Sequence, residues 1–137
     1  MLVYLSLLMI KTGILNPAVL DLLARVRHTN TLVISDRGFP FWPDIETVDL
    51  SVVDDIPTVA QIIAALRPNF AIGRVFAAEE VATANSPERL ARHLAALEGL
   101  PLTYLSHAEL KQRVPAAIGL IRTGDTTQYG NLILESA

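Results

Sequence analysis

The sequence predicts one α/β domain with three layers, in which helices cover both faces of a mostly parallel, mixed sheet. Short runs rich in β-branched residues alternate along the chain with segments whose apolar residues recur at helical spacing. The predicted strands are almost continuously apolar, which is typical of strands that are buried on both faces. Residues 1–137 contain no internal repeat, linker or low-complexity stretch, so we expect a single domain.

Each element follows from local signals. Asn16 followed by Pro17 is typical of an N-cap and a first helical residue, and predicts a helix over residues 17–27. The run Thr31–Ser35 is too short and too β-branched for a helix and predicts a buried strand. Next we expect a strand near 45–50, a helix from Pro57 to about Leu66, a strand at 72–77 and a helix from Ser86-Pro87 to before Gly99. The chain then predicts a strand at 102–105, a helix opened by a Ser106–Glu109 capping box and ended before Pro115, a strand at 117–121, a turn at 122–125 and a strand at 132–134.

Composition excludes several functions and favours self-assembly. The net charge is −3 and the basic residues are scattered, so no nucleic-acid surface is expected. The absence of cysteine excludes thiol catalysis, disulfides and thiolate metal sites, and the three histidines lack the spacing of a metal site. A hydrophobic content of 51% is more than so small a domain hides alone, which favours a homo-oligomer with apolar interfaces over a merely alanine- and leucine-rich core.

The apolar stretch at residues 1–10 does not predict a membrane partner. It lacks the basic region and small-residue cleavage site of a signal peptide, and a transmembrane helix needs about 20 residues. Met9 offers a second possible start. Two interpretations stay open, namely that residues 1–8 are an extension docked on apolar surface or an artefact of the chosen start; we expect a chain beginning at Met9 to fold and work normally.

Polar candidates concentrate around the strand Thr31–Ser35. Asp36 follows the strand, where ligands of open α/β sheets bind, although it could simply form an Asx turn. His28 precedes the strand, near the carboxyl end of the first predicted helix. There it could cap the helix, or it could serve as a proton donor, because a helix carboxyl end stabilises imidazolium.

The other candidates come from the second half of the chain. His107 lies in the first turn of a capped helix, where the dipole keeps the imidazole neutral and suited to binding hydroxyl groups, unless it is only an exposed residue. Tyr129 and Asn131 precede the last strand and could bind a ligand or satisfy turn backbone. His93 is predicted to be a surface residue of its helix, with Leu90, Leu94 and Leu97 facing inward.

Together these residues closely resemble the D-ribose pyranase family of sugar mutarotases. The resemblance runs from residue 9 onward and is carried by 11–16, 27–40, 77–80, 106–111 and 121–134. It implies a cytoplasmic, cofactor-free isomerase that interconverts pyranose and furanose or anomeric forms of a monosaccharide such as D-ribose. By this resemblance His28 is the proton donor, and the sugar is bound by Asp36, His107, Tyr129, Gly130 and Asn131.

The resemblance also implies rings of subunits, commonly a decamer of two stacked pentamers. We expect the pocket to be shared, with His28, Asp36 and His107 from one protomer and residues 129–131 from the next. Arg27, Asn30 and Arg37 depart from the family pattern, and two added guanidinium groups beside the pocket indicate a different sugar or an acidic or phosphorylated one. The segment 129–131 is closer to that of the related L-fucose mutarotases, and a sugar-binding protein without turnover is the alternative from another functional class.

Overall fold

The computed structural model describes residues 13–137, and the predictions about residues 1–8 lie outside this range. Its helices are α1 (Pro17–Arg25), α2 (Val59–Leu66), α3 (Val81–Ala84), α4 (Pro87–Ala95) and α5 (His107–Arg113), with a 3-10 turn at Val114–Ala116. Its strands are β1 (Thr31–Ser35), β2 (Glu46–Asp49), β3 (Ile72–Ala78), β4 (Leu102–Leu105), β5 (Gly119–Arg122) and β6 (Leu132–Ser136).

The six strands form one sheet in the order β2-β5-β1-β6-β3-β4. β1 pairs in parallel with β5, β5 with β2, and β3 with β4. β6 lies antiparallel between β1 and β3. The predicted mixed, mostly parallel sheet is confirmed, and the carboxyl ends of its five parallel strands lie at one edge.

Alternate residues of the strands enter two cores, one on each face. Leu32 and Ile34 of β1 pack with the buried faces of α1 and α2 and with Leu97. Val33, between them, packs on the other face with Leu110 of α5 and with the loop after β1. Three layers follow from this alternation, because each face of the sheet buries its own apolar cluster.

The boundaries differ from the predicted ones where capping decides them. α1 ends at Arg25 rather than residue 27, with Val26 as its C-cap. α2 begins after Thr58, whose side chain and that of Gln61 form a reciprocal capping box. The short helix α3 was not predicted, since four residues give no helical periodicity. Within residues 13–137, no helix is both long and apolar enough to cross a membrane.

Candidate functional site

A polar cavity of about 420 Å³ opens at the carboxyl edge of the sheet. Three segments form it: the loop that follows β1, the first turn of α5, and the chain that leads into β6. Its lining includes Asp36, Phe39, His107, Tyr129 and Asn131. Four of the six predicted site residues therefore line one cavity of a single protomer.

Asp36 is held at the cavity by hydrogen bonds to both its side chain and its backbone. Its carboxylate Oδ1 accepts a 3.0 Å hydrogen bond from the N–H of Gly38, and its own N–H donates to Oδ1 of Asn131 at 2.8 Å. Burial raises the pKa of Asp36, although hydrogen bonds from the backbone of Gly38, Phe39 and Gly130 oppose the shift. The Asx turn and the binding role are thus compatible, because the turn directs the carboxylate into the cavity.

His107 is fixed by its backbone and by two aromatic rings. Its backbone N–H donates to both carboxylate oxygens of Glu80, at 3.0 and 3.1 Å. Its ring makes edge contacts with Phe39 and Tyr129, at centroid distances of 6.1 and 5.1 Å. Within residues 13–137 its buried Nδ1 has no hydrogen-bond partner.

The electrostatics of His107 favour a neutral ring. Partial burial lowers its pKa, Lys111 lowers it further, and Glu80 and Asp36 act in the opposite direction. The direction is the one predicted from the helix dipole, but desolvation is the main cause in the structure. A neutral imidazole can both donate and accept, which suits the hydroxyl groups of a polyol.

The segment before β6 is a tight turn that presents Tyr129 to the cavity. Tyr129 has a φ of 55°, an uncommon conformation for a residue with a side chain. The Gly130 N–H donates to the carbonyl of Thr127 at 3.2 Å. Asn85 holds the turn from outside through two 2.9 Å hydrogen bonds with the backbone of Gln128. Sequence reasoning missed Asn85, because the residue lies 43 positions away and carries no local signal.

Asp125 is a second residue that the sequence analysis missed. The sequence predicts a turn at residues 122–125, yet Asp125 is only 2% exposed and lies beneath the cavity. Its Oδ2 accepts from the N–H of Val59 at 2.8 Å and its Oδ1 from the N–H of Thr127 at 2.7 Å. The carboxylate thus joins the start of α2 to the turn that carries Tyr129.

His28 lies at the opposite edge of the sheet. It is exposed in the turn before β1, whereas Asp36 follows β1, and the five-residue strand between them spans roughly 16 Å. His28 also lies two residues beyond Val26, the C-cap of α1, so the helix-cap interpretation of His28 is wrong. Of the two added arginines, Arg37 lines the cavity, whereas Arg27 lies beside His28. Arg37 also forms an exposed ion pair with Asp54 at 2.6 Å.

Two further predictions are corrected. Residues 129–131 do not come from a neighbour, because Tyr129 and Asn131 line the cavity of the same chain as Asp36 and His107. His93 is not a surface residue but is 3% exposed. It lies three residues after Leu90 and four before Leu97, and this spacing places it on the inward face of α4.

Comparison with known proteins shows the family to which the chain belongs. The profile of the RbsD / FucU transport protein family matches residues 9–137. The chain belongs to this family. Among curated relatives, the D-ribose pyranase of Streptococcus agalactiae (serotype V) is 38% identical over 127 residues, which are 92% of this chain and 96% of the relative. The D-ribose pyranase of Enterococcus faecalis is 33% identical over 126 residues, 92% and 95% of the two chains.

Solved structures give the same assignment for this family member. Bacillus subtilis RbsD complexed with D-ribose is 34% identical and aligns with a TM-score of 0.86 over 94% of this chain and 98% of that one. The fucose mutarotase of Streptococcus pneumoniae in complex with L-fucose is 18% identical, with a TM-score of 0.75 over 93% and 94% of the two chains. The second likeness establishes the shared fold.

Proposed function

We propose that this protein is a cofactor-free isomerase that opens and recloses the ring of a monosaccharide, with D-ribose as the first substrate to test. The observation that carries the proposal is the convergence of Asp36, His107, Tyr129 and Asn131 on one polar cavity of about 420 Å³. Its support from relatives is the D-ribose pyranases at 31–38% identity and the likeness to an RbsD complexed with D-ribose.

The chemistry needs two proton transfers. Opening a hemiacetal places a proton on the ring oxygen and removes one from the anomeric hydroxyl, while the C–O bond to the ring oxygen breaks. Closure reverses these steps, either on the same hydroxyl or on another one, which converts a pyranose to a furanose. A positioned acid and base accelerate such a reaction by about 10²–10⁴-fold, and orientation of the open chain adds to this.

The residues of the cavity suit the binding and basic parts of this scheme. The neutral ring of His107 and the carboxylate of Asp36 offer acceptors for sugar hydroxyl protons, and the Tyr129 hydroxyl offers a donor. His28 is the proposed proton donor to the ring oxygen. Because His28 lies at the far edge of its own sheet, it reaches a cavity only from a neighbouring copy.

A head-to-tail contact between copies satisfies this requirement. The edge bearing His28 on one protomer would face the cavity edge of the next, and such heterologous contacts generate closed rings when the rotation allows. Apolar side chains exposed after the carboxyl ends of β1 and β2 support a contact there, with Phe41 76% and Val52 74% exposed. The proposed assembly is a ring, with two stacked pentamers as its expected form.

The direct test measures ring exchange by saturation-transfer NMR on D-ribose and on L-fucose. We expect D-ribose anomers to exchange faster with the protein than in buffer, and the rate to fall to the uncatalysed value in His28→Ala. Since His28 is exposed, this substitution should change the free energy of unfolding by no more than about 0.5 kcal/mol. Uncatalysed exchange with both sugars in wild-type protein would contradict the proposal for these two substrates and would favour the binding-protein alternative.

A mixing experiment tests how the site is divided between chains. His28→Ala and Tyr129→Phe are co-assembled in equal amounts after denaturation and refolding. If His28 comes from one protomer and Tyr129 from the next, random head-to-tail assembly restores about a quarter of the sites. The matched control mixes His107→Ala with Tyr129→Phe, which should give no recovery because both residues belong to one chain's cavity.

Two results would contradict this division. Recovery in the His107→Ala and Tyr129→Phe mixture would mean that these two side chains serve sites on different protomers. Failure of the His28→Ala and Tyr129→Phe mixture to exceed its parents, in oligomers of normal size, would mean that His28 acts within its own chain or not at all.

A further inference from the structure

A second cavity, of about 410 Å³, lies behind the first one. It is formed between the start of α2 and the side of α4 that carries Arg89, Arg92 and His93, and the segment from Asp125 to Thr127 separates it from the first cavity. Its polar lining includes Gln61, Arg89, Arg92 and His93. The proposed sugar chemistry uses none of these four side chains.

His93 is the feature that indicates a ligand. The side chain lines the cavity and is 3% exposed, yet neither Nδ1 nor Nε2 has a hydrogen-bond partner among residues 13–137. Buried polar side chains are nearly always hydrogen-bonded, since an unsatisfied one loses its hydration without compensation. An imidazole left in this state at the wall of a cavity is suited to bind a molecule in that cavity.

The carboxylates of the cavity are already engaged by the protein. Asp125 accepts from the N–H groups of Val59 and Thr127. Asp55 accepts from the N–H and hydroxyl of Thr126, at 2.9 and 2.8 Å, and pairs with Arg89 at 3.3 Å. These contacts use much of the acceptor capacity that would otherwise bind a cation or the hydroxyl protons of a polyol.

Donors, in contrast, remain available. Arg92 forms no ion pair with any residue in the described part of the chain. Gln61 uses its Oε1 to accept from the N–H of Thr58 at 2.9 Å, so its amide N–H groups are what it can offer. The formal charges of Asp55, Asp125, Arg89 and Arg92 cancel, and the surplus of unused N–H donors therefore decides which ligand fits.

We propose that this second cavity binds a small tetrahedral oxyanion, either free phosphate or the phosphate group of a sugar phosphate, through Arg92, His93 and Gln61. A phosphate group offers more acceptors than donors, which matches the unused N–H groups of Arg92 and Gln61, and a P–OH that it keeps near neutral pH can donate to the acceptor nitrogen of His93. A neutral polyol brings a hydroxyl proton with every oxygen and matches this surplus of donors less well. Guanidinium and imidazole N–H groups form strong, charge-assisted bonds to phosphate oxygens.

The proposed oxyanion site lies next to a segment of the first cavity. A Cβ built on Gly130 would lie 3.3 Å from Cε1 of His93, so the imidazole packs directly against the backbone beside Tyr129. A ligand that orients the His93 ring therefore acts on the turn that presents Tyr129.

Isothermal titration calorimetry of the assembled protein tests the proposal, with inorganic phosphate and D-ribose 5-phosphate as separate probes in a phosphate-free buffer. We expect at least one probe to bind at millimolar concentration or below. Arg92→Gln and His93→Phe should each weaken binding about tenfold or more, since each removes a charge-assisted or buried hydrogen bond. Arg74→Gln, an equal loss of charge on an exposed strand residue, should leave the dissociation constant unchanged.

Saturating D-ribose separates this site from the first cavity. With D-ribose present, inorganic phosphate should still bind, and His107→Ala should not alter its affinity. Tighter binding of the sugar phosphate would identify an ester as the ligand, and binding of inorganic phosphate alone would identify the free ion.

Three outcomes would overturn the proposal. The first is that neither probe binds at 10 mM, which corresponds to about 2.7 kcal/mol of standard binding free energy. The second is an affinity for phosphate that Arg92→Gln leaves unchanged. The third is a second D-ribose bound per chain that Arg92→Gln removes. None of these results bears on ring exchange in the first cavity, which is measured independently.

Discussion

Replacement of Asp125 should show how much of the site's rigidity depends on one buried carboxylate. Asp125→Ala removes the acceptor for the N–H of Val59, 2.8 Å from Oδ2, and for the N–H of Thr127, 2.7 Å from Oδ1. Both bonds are buried in the folded protein. A hydrogen bond to a charged group contributes about 1.5–3 kcal/mol, and the two together give a loss of at least about 3 kcal/mol.

Asp125→Asn provides a graded comparison. Asparagine keeps one carbonyl oxygen and replaces the other oxygen with an NH₂ group, so one of the two backbone donors loses its acceptor. We expect a loss of about 1.5 kcal/mol or more, smaller than in Asp125→Ala. Asp54→Ala is the surface control: Asp54 pairs with Arg37 where both side chains are exposed, and such pairs contribute about 0–1 kcal/mol.

The assay is urea unfolding at pH 7 with a fixed protein concentration, because assembly makes apparent stability depend on concentration. A sugar titration of each folded variant then reports the first cavity, where we expect weaker binding because the turn carrying Tyr129 loses its support. The reasoning would be refuted if Asp125→Ala unfolded within about 1 kcal/mol of the wild type, the range of an ordinary substitution. It would also be refuted if Asp125→Asn lost more stability than Asp125→Ala.

Two further predictions concern carboxylates near the cavities. Glu80→Ala should lower kcat/KM for ring exchange about tenfold, the equivalent of about 1.4 kcal/mol, because the backbone N–H of His107 loses its acceptor. Glu80→Gln keeps an acceptor oxygen and should retain most activity. Equal losses in both variants would exclude this positioning role of Glu80. The pKa of Asp55 is lowered to about 2, mainly by the hydrogen bond from the Thr126 N–H and also by Arg89. The contribution of the ionised Asp55 to stability is therefore complete above about pH 4 and disappears as the pH falls towards 2. Thermal unfolding between pH 4 and 2 should therefore show a smaller loss of stability in Asp55→Asn than in the wild type, and an equal loss in both would contradict the shift.

The strands could be predicted where the composition of a segment and its position between turn residues both indicated a strand. Thr31–Ser35 is the predicted strand without change, since its apolar, β-branched run is bounded by polar turns on both sides. The antiparallel direction of β6 was not predicted individually. The signal was nevertheless present: only nine residues join β5 to β6, too few for the crossover that a parallel strand requires, which takes a dozen or more.

Side chains that act through long-range contacts were not predictable in the same way. His93 has the helical spacing of the inward residues Leu90 and Leu97, but this spacing does not show that the backbone at Gly130 packs against its ring. Asp125 follows a glycine and resembles any turn aspartate, while its hydrogen-bond partner Val59 lies 66 residues away. Such roles arise from tertiary contacts, so a residue's local sequence does not identify the partners on which its role depends.

The division of the proposed site between protomers was, in contrast, implicit in the sequence. His28 precedes the strand Thr31–Ser35 and Asp36 follows it, and a strand cannot bring its two ends to the same edge of a sheet. Assigning both residues to one protomer therefore conflicted with the strand prediction itself. A neighbouring copy that presents its His28 edge resolves the conflict, and Tyr129 and Asn131 then stay in the chain of Asp36, where the structure places them. The mixing experiment thus tests the fold and the mechanism together, because one strand separates the two halves of the proposed site.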